Sequence, residues 1–337
     1  MYSAGHPRTI DVMVTSINSV LEKGGSRRLH EVMEFVVSLT RFNVCPTYET
    51  IVASMLGNSV SYYDKIPGTD LTYDKAIAEG KLIGSDTDSS HYVPFLPPMA
   101  YLNWTDQQLK SSNSPHKRFA EKLHDLLKIP SFFSPRAFEV VVYTREVLMS
   151  MIRCSSTSSV LSFRDHLGHL GLYSNSRRNL FDTKIISSIE LEISKFDDVQ
   201  QIVLATEPGI FVPEKSNNRG FDFLVRYPTE GNGYLNVLYE MKYSDPLSSH
   251  PANLSKKMVE DKYNNCKKLH GDDNFILVVF SWRELHSAIK VADLPSNTVI
   301  LDKNRLSKLF GPSFAGFIDI QLVEEPQLIA TKDFKIL

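Results

Sequence analysis

The sequence predicts an α/β protein, a central mixed sheet flanked by helices, preceded by a mainly helical domain. Three observations carry that expectation. GFDFLVRYP at 220–228 and YLNVLYEMKYS at 234–244 are strand-like runs joined by the turn-rich TEGNG, the pattern of a hairpin. The segment 252–270 then reads as a basic helix, and NFILVVF at 274–280 as a buried strand. The first 105 residues or so alternate short amphipathic helices with a single pair of strands.

Taken in order, residues 8–23 place Ile10, Val14, Ile17 and Leu21 at helical spacing, and a second helical pattern covers 28–42. A third helix spans 47–56, opened by Thr47 and stopped by Gly57-Asn58. LTYDKAIAEG at 71–80 is a short helix ended by glycine, and KLIGSD and HYVPFLPP are strands joined by a polar tip, Asp86 to Ser90. Short helices before a two-stranded wing predict a winged-helix module over roughly 25–105. Such a module reads DNA through a basic or polar third helix, and neither helix here is basic, so packing against protein is the expectation.

The polar, serine-rich QQLKSSNSPHK at 107–117 marks the predicted domain boundary, giving domains 1–110 and 111–337. A helix at 116–128 is closed by Pro130, and the next opens with Ser134 as N-cap and Pro135 at its first position. QQIVLATEP at 200–208 is a further predicted strand. TVILDKNRLSKLFGPSF reads as a strand, a helix capped by Asp302 and a Gly-Pro stop.

Composition excludes several classes. The chain has 337 residues, 42% hydrophobic and 23% charged, so it is long enough for two domains and is not compositionally disordered. With 37 Lys+Arg against 39 Asp+Glu, the formal net charge is −2, and any nucleic-acid surface must be local. Lys242 to Lys290 carries only a modest positive excess. Cys45, Cys154 and Cys266 form no metal spacing, which argues against zinc and for a reducing compartment. No apolar run reaches membrane-spanning length and no signal peptide is visible, so no membrane partner is expected.

The chemistry concentrates in the hairpin. Alternation along a strand puts Glu240 and Lys242 on one face, and on the first strand it puts Asp222 with Leu224 and Arg226. Two hard carboxylates beside an ammonium suit Mg²⁺ or Mn²⁺ and the attack of water on a phosphodiester. Met241 offers a backbone carbonyl to the same metal. Lys256, Lys257 and Lys262 on the following helix are candidate phosphate contacts, and Tyr263 a stacking or hydrogen-bonding group. The competing reading of these lysines is a solvated helix face.

A strand bearing Asp, a strand ending E-x-K, a helix and a buried strand together resemble the core of the PD-(D/E)xK restriction-endonuclease-like nucleases, over roughly 135–311. The Pro-Asp pair of the family's name is absent, since Phe221 precedes Asp222. The resemblance implies a restriction-endonuclease-like sheet, with Asp222 and Glu240 as metal ligands and Lys242 as the residue that orients or deprotonates water. It also implies a helix glutamate as a further ligand, for which Glu139 is the choice and Glu190 and Glu192 are rivals.

Gly5-His6-Pro7-Arg8 further resembles the end of the ATPase module in crinkler and retrotransposon-hot-spot type proteins, in which a winged helix and a PD-(D/E)xK domain follow. No G-x-x-x-x-G-K-[ST] occurs, so no ATP binding of that kind is expected. Arg8 and His6 read here as exposed residues at a helix start. The resemblance implies the C-terminal part, or a shortened paralogue, of such a protein: an ATPase-tail remnant and winged helix, then the nuclease domain. It implies DNA, or else RNA, as substrate, a homodimer or a host protein as partners, and the nucleus of a host cell as the place of action, with an intracellular site otherwise. The alternative is an inactive nuclease-fold effector that binds DNA or a host protein.

Overall fold

The structure is a computed structural model that describes residues 46–78, 83–86, 90–96, 98–127, 135–154, 160–176, 179–187, 189–197, 201, 206–214, 220–242, 254–272, 274–281, 285–287 and 289–310. Residues 46–127 and 135–309 fall in two separate compact units, divided at Pro130 and Ser131. The helices predicted at 8–23 and 28–42, with His6 and Arg8, lie outside the described residues.

The first unit begins with α1 (Tyr48–Leu56), which starts where Thr47 accepts the Thr50 amide and ends at Gly57 in the left-handed conformation, φ 66°. β1 (Val60–Ser61), α2 (Tyr73–Ala78), β2 (Ile83–Asp86) and β3 (His91–Phe95) follow, the strands forming an antiparallel sheet in the order β1-β3-β2. The two strands expected at 81–98 are therefore present and pair, with β1 added to the other edge of β3. α3 (Pro98–Lys110) and α4 (Lys117–Leu127) pack on each other. The polar stretch 107–117 is thus the end of α3 and the turn at 111–116 into α4, inside this unit, and the division falls later, at Pro130 and Ser131. Ser114 is used locally, donating to Gln108 and accepting the His116 amide, and the His116 ring stacks on Tyr48 at 4.1 Å.

The second unit opens with α5 (Pro135–Cys154), then β4 (Val160–Ser162), α6 (Phe163–His166), β5 (Leu172–Tyr173), β6 (Lys184–Ile186) and β7 (Ile193–Phe196). β8 (Gly209–Pro213), β9 (Phe223–Pro228), β10 (Tyr234–Lys242), α7 (Lys256–His270), β11 (Phe275–Ser281), β12 (Thr298–Leu301) and α8 (Lys303–Leu309) complete it. Seven strands form one mixed sheet in the order β5-β12-β11-β10-β9-β8-β7, so the chain is α/β as its sequence predicts. β8, β9 and β10 are antiparallel neighbours, while β10, β11 and β12 run parallel. The short β4 and β6 pair separately.

Two local expectations are corrected. The strand ahead of the hairpin is GIFVP at 209–213; residues 206–208 are not strand, and Gln201 is helical. Every residue of β8 is buried, whereas Thr206 and Glu207 ahead of it are exposed. Glu190 and Glu192 lie on the extended approach to β7 and not on a helix, where the Glu192 carbonyl accepts the Ile210 amide.

The sheet is central because both its faces are covered. β11 is buried throughout, as a parallel strand between two helical layers must be. On one face Leu224, Leu238, Leu277 and Val279 pack against Val259, Tyr263 and Cys266, which recur at helical spacing on α7. On the other, Phe223 stacks on Tyr239 at 4.5 Å and meets Tyr143 of α5 edge-on. Each fully buried aromatic or leucine contributes about 1.5–3 kcal/mol relative to exposure. Among the described residues no helix is long and apolar enough to cross a membrane.

Candidate metal centre

The β9–β10 register pairs Phe223 with Tyr239, so Asp222 and Glu240 come opposite one another where the ladder ends. Asp222 is in a bend just before β9, one residue short of the predicted strand position. Its amide donates to the Tyr239 carbonyl at 2.8 Å, and its Oδ2 accepts the Met241 amide at 2.6 Å. The carboxylate therefore turns in along the end of the sheet instead of standing out from its face. A strand residue directs its N–H and C=O to the same edge, so the Met241 carbonyl lies on the Asp222 side as well.

Glu240 projects from the opposite side of the pleat to Tyr239, toward α7, and is 2% exposed. Its Oε1 accepts from Lys242 at 2.5 Å and lies 2.7 Å from Lys262 Nζ, while Oε2 is buried with no hydrogen-bond partner among the described residues. An unsatisfied carboxylate oxygen inside a protein is costly, on the order of 1–3 kcal/mol.

The electrostatics match this crowding. Burial, and then the Glu240 carboxylate, push the Asp222 carboxyl up to about 7; the Met241 amide opposes this, and Glu139 adds to it. Glu139, on the second turn of α5, thus acts on the same carboxylate. Among the described residues no three His, Cys, Asp or Glu side chains converge as a ready-made metal cage. A cation held here would draw on Asp222, the free oxygen of Glu240, the Met241 carbonyl and water. That oxygen-only set with few protein ligands fits Mg²⁺, which keeps much of its water shell.

The remaining expected residues separate. Lys262 joins the carboxylate cluster, its ammonium 2.7 Å from Glu240 Oε1. Lys256 is exposed and pairs with Glu260 at 3.6 Å; Lys257 is exposed. Of the two roles expected of Tyr263, stacking is corrected: its ring is buried against Phe275, at 5.4 Å, in the core beside α7. Cys266 lies beside the site, donating to the Gly220 carbonyl at 3.1 Å, with burial pushing its thiol up to about 12, so it is not a thiolate ligand.

A second polar cluster was not anticipated. Glu146 of α5 accepts from Arg145 at 3.0 Å and from Tyr227 at 2.8 Å, and lies 2.8 Å from His166 Nε2. Arg153 donates to His166 Nδ1 and to its backbone carbonyl. Burial opposes ionisation of Glu146, yet His166 and Arg145 hold its carboxyl below the usual range; burial and Arg153 push the His166 imidazole below its own. The sequence signal was available: Arg145-Glu146 interrupts an otherwise apolar stretch of helix.

No protein-family model matches the chain, and comparisons with curated proteins and with solved structures give no match.

Proposed function

We propose that the second unit is a metal-dependent nuclease that hydrolyses phosphodiester bonds in DNA, with Mg²⁺ or Mn²⁺ as cofactor. The observation that carries this reading is the pair Asp222 and Glu240 at the end of the sheet, Glu240 keeping a buried carboxylate oxygen that nothing described satisfies. The order α5, antiparallel β8-β9-β10, α7 and parallel β11 supports a restriction-endonuclease-like core around it.

Bound there, the metal would supply Lewis-acid activation of the phosphate and of water. Asp222 and Glu240 would hold it through carboxylate oxygens, with the Met241 amide fixing the Asp222 carboxylate in place. Lys242, on the Glu240 face and 21% exposed at its side chain, orients the attacking water or neutralises charge building on the phosphate oxygens. Glu139, whose charge already acts on Asp222, would be the further carboxylate ligand from the helix that the resemblance implies.

The test is cleavage of plasmid DNA and of single-stranded RNA by the purified chain with Mg²⁺ or Mn²⁺, beside Asp222→Asn and Glu240→Gln. Cleavage of DNA lost in both variants is the expected result. Equal cleavage by native and variant chains would overturn it, and cleavage of RNA alone would replace the substrate.

One observation favours a second reading, an inactive nuclease-fold binder. Both ammonium groups at the site already neutralise Glu240, as they would in a copy that has given up its metal. That reading predicts no Mn²⁺ binding in a calorimetric titration. The resemblance to crinkler-type proteins supports an effector acting in a host nucleus in either case, with DNA or a host protein as partner; a winged-helix role for the first unit and a homodimer belong to the same proposal.

A further inference from the structure

We infer that Lys262 is a second phosphate-handling lysine of this site, parked on Glu240 and released to the phosphodiester when a divalent cation takes that carboxylate. This rests on the metal-dependent reading above and adds a residue that the E-x-K spacing does not contain.

The argument begins with position. Lys262 stands three residues after Val259 and four before Cys266, both on the buried stripe of α7, so it emerges at the edge of that stripe beside the sheet. Its ammonium is 2.7 Å from Glu240 Oε1, the same oxygen that Lys242 engages, and its side chain is 21% exposed. The side chain is thus largely buried yet still reaches solvent.

Charge then decides what happens on metal binding. With both carboxyls ionised, Asp222 and Glu240 are balanced by Lys242 and Lys262, and the site is neutral. A divalent cation adds two positive charges beside Glu240. It competes for the carboxylate and repels both ammonium groups, so the site becomes an anion acceptor only when loaded. Lys242 is tied to Glu240 through the pleat, two residues along one strand. Lys262 bridges from a helix to the sheet, so its transfer to a phosphate oxygen breaks no strand contact.

The experiment separates metal binding from substrate binding. Mn²⁺ alone is titrated calorimetrically into the native chain, Lys262→Gln and Lys262→Arg. A short labelled DNA duplex is then bound by each, followed by fluorescence anisotropy, with and without Ca²⁺, an oxygen-seeking cation. The native chain is expected to bind the duplex about tenfold more tightly with the cation, the order expected when a lysine–phosphate contact is added. Lys262→Gln should bind Mn²⁺ at least as tightly as the native chain yet lose that gain, and Lys262→Arg should keep most of it. Retention of the full gain by Lys262→Gln would overturn the proposal. Loss of Mn²⁺ binding in Lys262→Gln would overturn it too, by making Lys262 a brace for Glu240. Absence of Mn²⁺ binding in the native chain is the separate result that removes the metal reading itself.

Discussion

Asp222 accepts the backbone N–H of Met241 at 2.6 Å, so the carboxylate that would hold the metal is fixed by the strand carrying the second carboxylate. Asn at position 222 keeps an acceptor for that amide and removes a buried charge. Asp222→Asn is therefore expected to abolish metal-dependent cleavage while raising stability at pH 8 by about 1–2 kcal/mol. Denaturant melts beside plasmid cleavage would check both.

Because burial and Glu240 hold the Asp222 carboxyl up at about 7, protons compete with metal around neutrality. Mn²⁺ affinity, read by calorimetry, should weaken about tenfold per pH unit below that value and level off above it. The linkage to folding has the opposite sense. The folded state holds this proton from about pH 4 to about 7 while the unfolded chain has lost it, so Asp222 lowers stability as pH rises through that window. A metal-affinity profile flat from pH 6 to 8 would contradict the assignment.

Glu240 carries two ammonium groups on one oxygen. Glu240→Ala leaves Lys242 and Lys262 half-buried without their anion, at an expected cost of about 1–3 kcal/mol, below the figure for a fully buried pair because both lysines reach solvent. The double variant Glu240→Ala/Lys262→Ala should cost less than the sum of its single changes. A double-mutant cycle of chemical denaturation measures that difference.

The neutral His166 is held between Glu146 and Arg153, its imidazole below the ordinary value of about 6.5. The unfolded chain takes up this proton first, so the contribution is present above about pH 6.5 and is lost as pH falls below it. His166→Gln should destabilise the protein by about 1–3 kcal/mol at pH 7. It should also flatten the stability profile between pH 6.5 and 5, as followed by urea denaturation.

In the first unit, Gly57 closes α1 at φ 66°, where an L side chain is strained. Gly57→Ala should cost about 1 kcal/mol, and Thr47→Ala about the same through loss of its bond to the Thr50 amide. Thermal melts of the full chain report both.

Local chemistry made much of this legible. Thr47 and Gly57 bound α1, and the apolar run at 274–280 is β11 almost residue for residue. Each signal lies within a few positions of the feature it marks. Polar residues at 107–117 were a poor guide to the domain boundary, since a helix–helix turn and an interdomain linker share the same composition.

The sequence by itself placed Asp222 and Glu240 on two strands of one hairpin, able to share a sheet face through strand alternation; the register that sets them opposite one another came with the structure. Only the tertiary structure decided what surrounds them. Lys262 reaches Glu240 from another element, Tyr263 turns inward against Phe275, and Glu146 meets Tyr227 across 81 positions of chain. The physical reason is range: strand and helix periodicities reach across a few residues, whereas the burial that leaves Glu240 Oε2 unsatisfied and raises Asp222 comes from layers joined only by folding.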